Sequence, residues 1–189
     1  MAEFAALGRP RSETARVAVL RAVDDLLVEI GYSAMTMKGI AERAGVGRQT
    51  VYRWWPTKAH ILVEACADDA RGELAFVVRD DPVGAITDFL VALTEFLTAS
   101  PAGAAYRALL GEAQHDAEVG RLVAAADLLA PPARAVLGQV RGRLRGVPAD
   151  PFAVAELCGP VVLIVMTGAT PPSRLALRAH ARRLAAAWS

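Results

Sequence analysis

The sequence is poor in several things, and each shortage excludes something. It has two cysteines, Cys66 and Cys158, far apart and without a CxxC pair, so neither a disulfide framework nor a zinc knuckle follows. Its three histidines, His60, His115 and His180, belong to no set with metal-ligand spacing. His115, between Gln114 and Asp116, reads as part of a surface loop. No metal and no cofactor are expected. Net charge is almost absent: 21 basic against 20 acidic residues leaves +1. That excludes a globally basic nucleic-acid coat and an acidic disordered tail. The longest run without charge, residues 157–173, contains Gly159, Pro160 and Gly168 and ends in Pro171-Pro172. It is short of the roughly 20 apolar residues a membrane span needs, although mean hydropathy is +0.31. A buried or interface helix is expected there, and no membrane. Residues 1–10 contain Glu3 and no apolar core before a small-residue cleavage site, so no signal peptide is expected and the cytoplasm is the expected compartment. There is no G-x-S-x-G elbow. The stretch Gly45-Val46-Gly47-Arg48-Gln49-Thr50 comes nearest to a phosphate loop, but it lacks a third glycine and a preceding strand. An enzyme is not expected.

What is present is apolar and unevenly charged. The 189 residues suit one or two small domains, and 54% apolar against 22% charged residues excludes disorder as the main state. Of the 21 basic residues only Lys38 and Lys58 are lysines. Residues 1–60 hold nine basic and six acidic residues, net +3, and the remainder is net −2. Residues 36–58 carry Lys38, Arg43, Arg48, Arg53 and Lys58 against Glu42 alone, net +4. A basic N-terminal module inside a near-neutral chain points to nucleic acid or another acidic surface.

Nearly everything reads as helix. Leu20, Val23, Leu27 and Ile30 recur at one-face spacing, and Gly31 is expected to stop that helix. Thr36 caps a short helix over residues 37–43 that Gly45 ends, and a third short helix follows over about 48–54. Pro56 breaks the chain, and Thr57 opens a helix reaching about Arg79. Further helices fit residues 83–97, 102–113, 116–127, 132–145, 151–167 and 172–188. The β-branched run 161–165 has no partner strand, so it is read as helix too. The fold class expected is all-α.

Residues 36–55 carry the chemistry. Ile40 and Ala41 face inward, and Ala41 is small where a second helix must cross close by. Gly45 sits where a tight interhelical turn needs positive φ. Val46 plugs the corner, and Val51 and Trp55, four apart, share the inner face of the next helix. That is the layout of a helix-turn-helix. With Val51 inward, Gln49 and Arg53 point most directly away, flanked by Thr50 and Tyr52, with Arg48 near the helix start. Arg pairs bidentately with guanine and Gln with adenine. Thr50, Tyr52 and Lys58 suit phosphates.

The stretch TMKGIAERAGVGRQTVYRWWPTKAHIL resembles the DNA-binding module of the tetracycline-repressor-like (TetR) regulators, with the resemblance running from about Ser12 to Ala65. It implies a three-helix DNA-binding domain over residues 1–57 and a larger helical ligand-binding and dimerisation domain over 58–189. Carried over by position, Thr36, Arg48, Thr50, Tyr52 and Lys58 would touch the operator, mostly its backbone, and Gln49 and Arg53 would read bases. Two departures stand out. Gly47 replaces a capping hydroxyl, and Trp54-Trp55 replaces a polar residue followed by an aromatic, with Trp55 expected in the core.

The resemblance also implies that the last two helices pair with their twins in a homodimer, and Leu157, Val161, Ile164 and Val165 are the expected seam. A ligand cavity is expected among residues 61–145, with Phe89, Leu93, Phe96, Tyr106, Leu110 and Gln114 as its candidates, and Phe76, Leu122 and Met166 as further ones. Two functions remain open at this point. One is a repressor that leaves a near-palindromic double-stranded DNA operator when a small-molecule effector binds. The other is a DNA-binding regulator controlled by a protein partner.

Overall fold

A computed structural model describes residues 12–75 and 78–189. All its described elements are helices: α1 (Glu13–Ala34), α2 (Met37–Ala44), α3 (Arg48–Trp54), α4 (Lys58–Glu73), α5 (Pro82–Ala99), α6 (Pro101–Glu112), α7 (Ala117–Ala126), α8 (Ala130–Arg141), α9 (Phe152–Met166) and α10 (Arg174–Ala187). The chain divides into two compact units, Met1–Ile61 and Leu62–Ser189. The division falls inside α4, whereas the sequence reading places a boundary before Lys58. A helix start is a local cap signal, but the first turn of α4 buries Ala59 and Ile61, so it belongs to the core of the N-terminal unit.

In that unit the helix ends follow side-chain chemistry. The Ser12 hydroxyl accepts from Ala15 N–H and opens α1; the Thr36 hydroxyl accepts from Gly39 N–H at 3.0 Å and opens α2. Gly31 ends the first regular stretch of α1, as its position predicts, but the element continues past it. It sits inside the element as a kink, with φ 74° and ψ 166°, and one further turn runs to Ala34. Val19, Leu20, Val23, Leu26 and Leu27 form the buried stripe of α1, while Ile30 is 50% exposed. Gly45 adopts φ 65° and ψ 25°, and the N–H groups of Gly45 and Val46 both reach the Ala41 carbonyl. A left-handed residue at this place closes the last turn of α2, and glycine takes it without a Cβ penalty.

In the second unit α5 packs against α6, α8, α9 and α10. Its length and hydropathy are those of a membrane-crossing helix, but half of that stretch is buried inside the protein. Ile86, Phe89, Leu90, Leu93, Phe96 and Leu97 fill the core. Where α6 starts, Gly103 lies against the end of α5 so closely that a Cβ would stand 1.7 Å from the Phe96 carbonyl oxygen. Residue 103 must therefore be glycine for the α5–α6 corner to close. Asp81 caps α5, Ser100 caps α6, Asp116 caps α7 and Ser173 caps α10. Two helices end earlier than their sequence patterns suggest. α4 stops at Glu73 instead of about Arg79, and α8 at Arg141 instead of Arg145.

Candidate nucleic-acid interface

The helix-turn-helix is built from α2 and α3. Ile40 and Ala41 of α2, Val51 of α3 and Trp55 just beyond it are all buried. They fix the angle at which α3 is presented. Trp54, half-buried, meets Trp55 edge-on with centroids 5.6 Å apart, which supports the junction with α4. Gly47 begins α3 without any side-chain cap. Arg48, Gln49, Tyr52 and Arg53 are exposed and Thr50 is half-exposed. The outward face derived from helical periodicity is the face the fold presents.

The positive charges are less free than the sequence implies. Arg43 of α2 donates to both carboxylate oxygens of Glu29 on α1 and lies 3.7 Å from Asp25. The Arg43 guanidinium in turn holds the Glu29 carboxyl below the usual carboxylate range. Arg48 donates to Glu42 at 2.8 Å, and Lys38 stands 3.9 Å from the same oxygen. Both of these pairs are solvent-exposed, so each contributes little and can be exchanged for a phosphate. Arg53 forms no ion pair among the described residues. It is the uncommitted cation of the recognition helix.

Lys58 differs in kind. Its ammonium donates to the carbonyls of Tyr32 (2.7 Å) and Met35 (3.0 Å) and lies over the Tyr32 ring. These bonds tie the start of α4 to the end of α1 and to the residue preceding the α2 cap. The site expected to meet operator phosphate is committed to holding the corner of the helix-turn-helix. Sequence reasoning missed Glu42, Glu29 and Tyr32 as partners. Glu42 precedes Arg48 by six residues across a turn, Glu29 precedes Arg43 by fourteen, and Tyr32 precedes Lys58 by twenty-six; none of these is a helical spacing.

The candidates in the second unit scatter. Phe89, Leu93 and Phe96 are packed in the α5 core, Leu110 is half-buried, and Gln114 is exposed with its amide bonded to the Leu110 carbonyl. Phe89 borders one cavity and Tyr106 another. Leu93 and Phe96 are used up in core packing. Leu122 is half-buried, Met166 is exposed, and Phe76 lies outside the described residues. The expected seam needs correction. Leu157, Val161 and Val165 are buried by this chain's own helices, at 0%, 1% and 7% exposure, and so cannot cover a second copy. Ile164 is half-buried, and the outward apolar side chains of α9 and α10 are Phe152, Leu163, Met166 and Leu175.

Comparison with known proteins agrees with this geometry. Residues 19–65, which span most of α1 through the first half of α4, match the family described as bacterial regulatory proteins, tetR family. The chain is 38% identical over 109 residues to YdeS of Bacillus subtilis, named as an uncharacterized HTH-type transcriptional regulator, covering 58% of this chain and 54% of that one. It is 41% identical over 63 residues to the HTH-type transcriptional repressor KstR of Rhodococcus jostii, covering 31% and 30%. The chain thus spans about half the length of YdeS and under a third of KstR. The crystal structure of the TetR family transcription regulator SCO0332 superposes with a TM-score of 0.76 at 27% identity, over 93% of this chain and 98% of that one. The fold class is an N-terminal helix-turn-helix domain followed by a helical C-terminal domain. Residues 19–65 thus carry a tetR-family module, and the fold over most of the chain is similar to that of a TetR family regulator.

Proposed function

We propose that this protein is a transcriptional repressor that binds a near-palindromic operator as a homodimer and is released when a small molecule occupies its Leu62–Ser189 unit. The observation that carries the reading is the recognition helix. Val51 is buried while Gln49 and Arg53 are exposed, and no described residue pairs Arg53. Those are the side-chain types that read adenine and guanine edges. Repressor names among the relatives support the direction of control.

A homodimer follows from the outward apolar side chains. Phe152 is 71% exposed, Leu163 64%, Met166 41% and Leu175 78%. Phe152, Leu163 and Met166 fall on one side of α9, opposite the buried Leu157, Val161 and Val165. Such a face is the kind that a twofold mate covers. Two recognition helices would then meet half-sites about one helical turn of DNA apart, or somewhat more.

The test is a selection of genomic fragments by the purified full chain, followed by footprinting. A recovered site with two related half-sites, bound far more tightly than bulk DNA, is expected. Equal affinity for all fragments at physiological salt refutes the reading.

A further inference from the structure

A cavity of about 330 Å³ lies between α6, the junction of α7 with α8, and α9. Its walls are mainly aliphatic, from side chains such as Val123, Leu129, Val154 and Val162. Two polar groups on its lining are already accounted for. The Asp127 carboxylate accepts from Arg134 at 3.1 Å. Burial pushes the Cys158 thiol up to about 12, so it remains a protonated, weakly polar group.

The third polar group is not accounted for. Tyr106 is only 8% exposed, and its hydroxyl has no hydrogen-bond partner among the described residues. A buried tyrosine ordinarily gives its hydroxyl a partner. Another large buried aromatic with a polar handle follows that rule: Trp188 Nε1 donates to Glu156 at 2.9 Å. Burial also pushes the Tyr106 phenol up to about 12, so it keeps its proton and acts as a donor at neutral pH.

The surrounding wall is held in place before any ligand arrives. α7 ends on Asp127 in the left-handed region, at φ 45°. Arg134 bridges Asp127 to Asp150, and Arg141 donates to the other oxygen of Asp150. On the α9 side, Gly159 leaves room: a Cβ there would meet nothing within 4 Å. No lysine or arginine lines the cavity, and its one carboxylate is already paired, so nothing in the wall would neutralise an anion.

We propose that this cavity binds an uncharged, mainly apolar small molecule carrying one hydrogen-bond-accepting oxygen, which the Tyr106 hydroxyl recognises. The occupant would be the effector of the regulator described above. That role rests on the repressor reading; the cavity's ligand class does not.

Three probes of similar size separate the terms by titration calorimetry on the full chain. Acetophenone has a carbonyl acceptor, ethylbenzene has none, and benzoate is charged. Acetophenone is expected to bind about tenfold more tightly than ethylbenzene, the worth of one buried neutral hydrogen bond, and benzoate more weakly than either. Tyr106→Phe should erase the preference for acetophenone, and Gly159→Leu should abolish binding of all three by filling the space. Thermal melts confirm that both variants fold, and a variant that does not is replaced by Tyr106→Leu or Gly159→Val respectively. No binding of acetophenone to the parent protein, equal affinity for acetophenone and ethylbenzene, or an undiminished preference in Tyr106→Phe overturns the proposal. Operator release is scored separately. Binding in the cavity that leaves operator affinity unchanged refutes the effector role and keeps the ligand class.

Discussion

The ammonium of Lys58 lies 2.7 Å from the carbonyl oxygen of Tyr32 and 4.1 Å from the centre of the same residue's ring. One side chain thereby satisfies a carbonyl beyond the Gly31 kink and stacks on the aromatic that follows it. Lys58→Met keeps the aliphatic stem and removes the charge. We expect the melting free energy to fall by about 2 kcal/mol, the scale of charge-assisted hydrogen bonds. Operator affinity should fall as well, with the dependence of log affinity on log salt unchanged. A lysine bound to phosphate behaves oppositely: stability holds and the salt slope drops by about 0.9. Salt titrations beside thermal melts decide between the two.

Gln49→Ala and Arg53→Ala should alter which operator positions matter. A good bidentate base contact is worth about 1–3 kcal/mol of discrimination. Each variant should lose that much at one position per half-site and bind unrelated DNA nearly as before. Binding to a panel of singly substituted operators measures it. Retention of the parent preference at every position would remove these residues from base recognition.

The two faces of α9 should respond differently to charge. Leu163→Glu is expected to yield folded monomers by light scattering, since Leu163 is 64% exposed. Leu157→Glu buries an unpaired carboxylate at a position with 0% exposure and should unfold the unit. If Leu163→Glu leaves the particle size unchanged, this face is not the seam.

Gly103→Ala tests the α5–α6 corner. The added Cβ would stand 1.7 Å from the Phe96 carbonyl oxygen, which is backbone and cannot swing aside. A loss of more than about 4 kcal/mol is expected, in the range reserved for gross backbone conflict. Urea melts report it, and a loss below about 1 kcal/mol would show that the corner can widen.

Alkaline pH should destabilise the second unit. In the unfolded chain Cys158 and Tyr106 ionise from their ordinary values of 9.0 and 10.0, whereas in the fold both are held up to about 12. Above pH 9 the unfolded state sheds protons that the folded state keeps. Stability is therefore complete below pH 9 and is lost as pH rises toward 12, by on the order of 2–4 kcal/mol per group. Tyr106→Phe and Cys158→Ala should each flatten the slope seen in melts between pH 8 and 11. A parent protein with no slope there would mean that neither group is buried as the structure places it.

How much of this could be read beforehand differs from place to place. The cap at Thr36, the helix starts near residues 116 and 172 and the left-handed Gly45 are local events. Each depends on a few consecutive residues, so they could be anticipated within a residue or two. The outward face of α3 was legible because one buried valine sets the phase of a short helix. α9 offered no such phase. Leu157, Val161 and Val165 lie on one side and Phe152, Leu163 and Met166 on the other, so the helix is apolar all round. Periodicity cannot select the inner side of such a helix. The selection comes from α5 and α8, which pack against it.

The sequence by itself determined the helices, the turn glycine and the Gln49–Arg53 recognition face, because all of these follow from spacing along the chain. It also set the +4 charge of residues 36–58. Only the tertiary structure decided how that charge is distributed. Lys58 is drawn to Tyr32 and Met35, Arg43 to Glu29 and Arg48 to Glu42, and Arg53 is left facing outward. The same holds for the cavity at Tyr106, whose walls come from α6, α7, α8 and α9. Contacts between residues far apart in the chain depend on how helices cross, and crossing depends on side-chain volumes on both partners, which no single segment encodes.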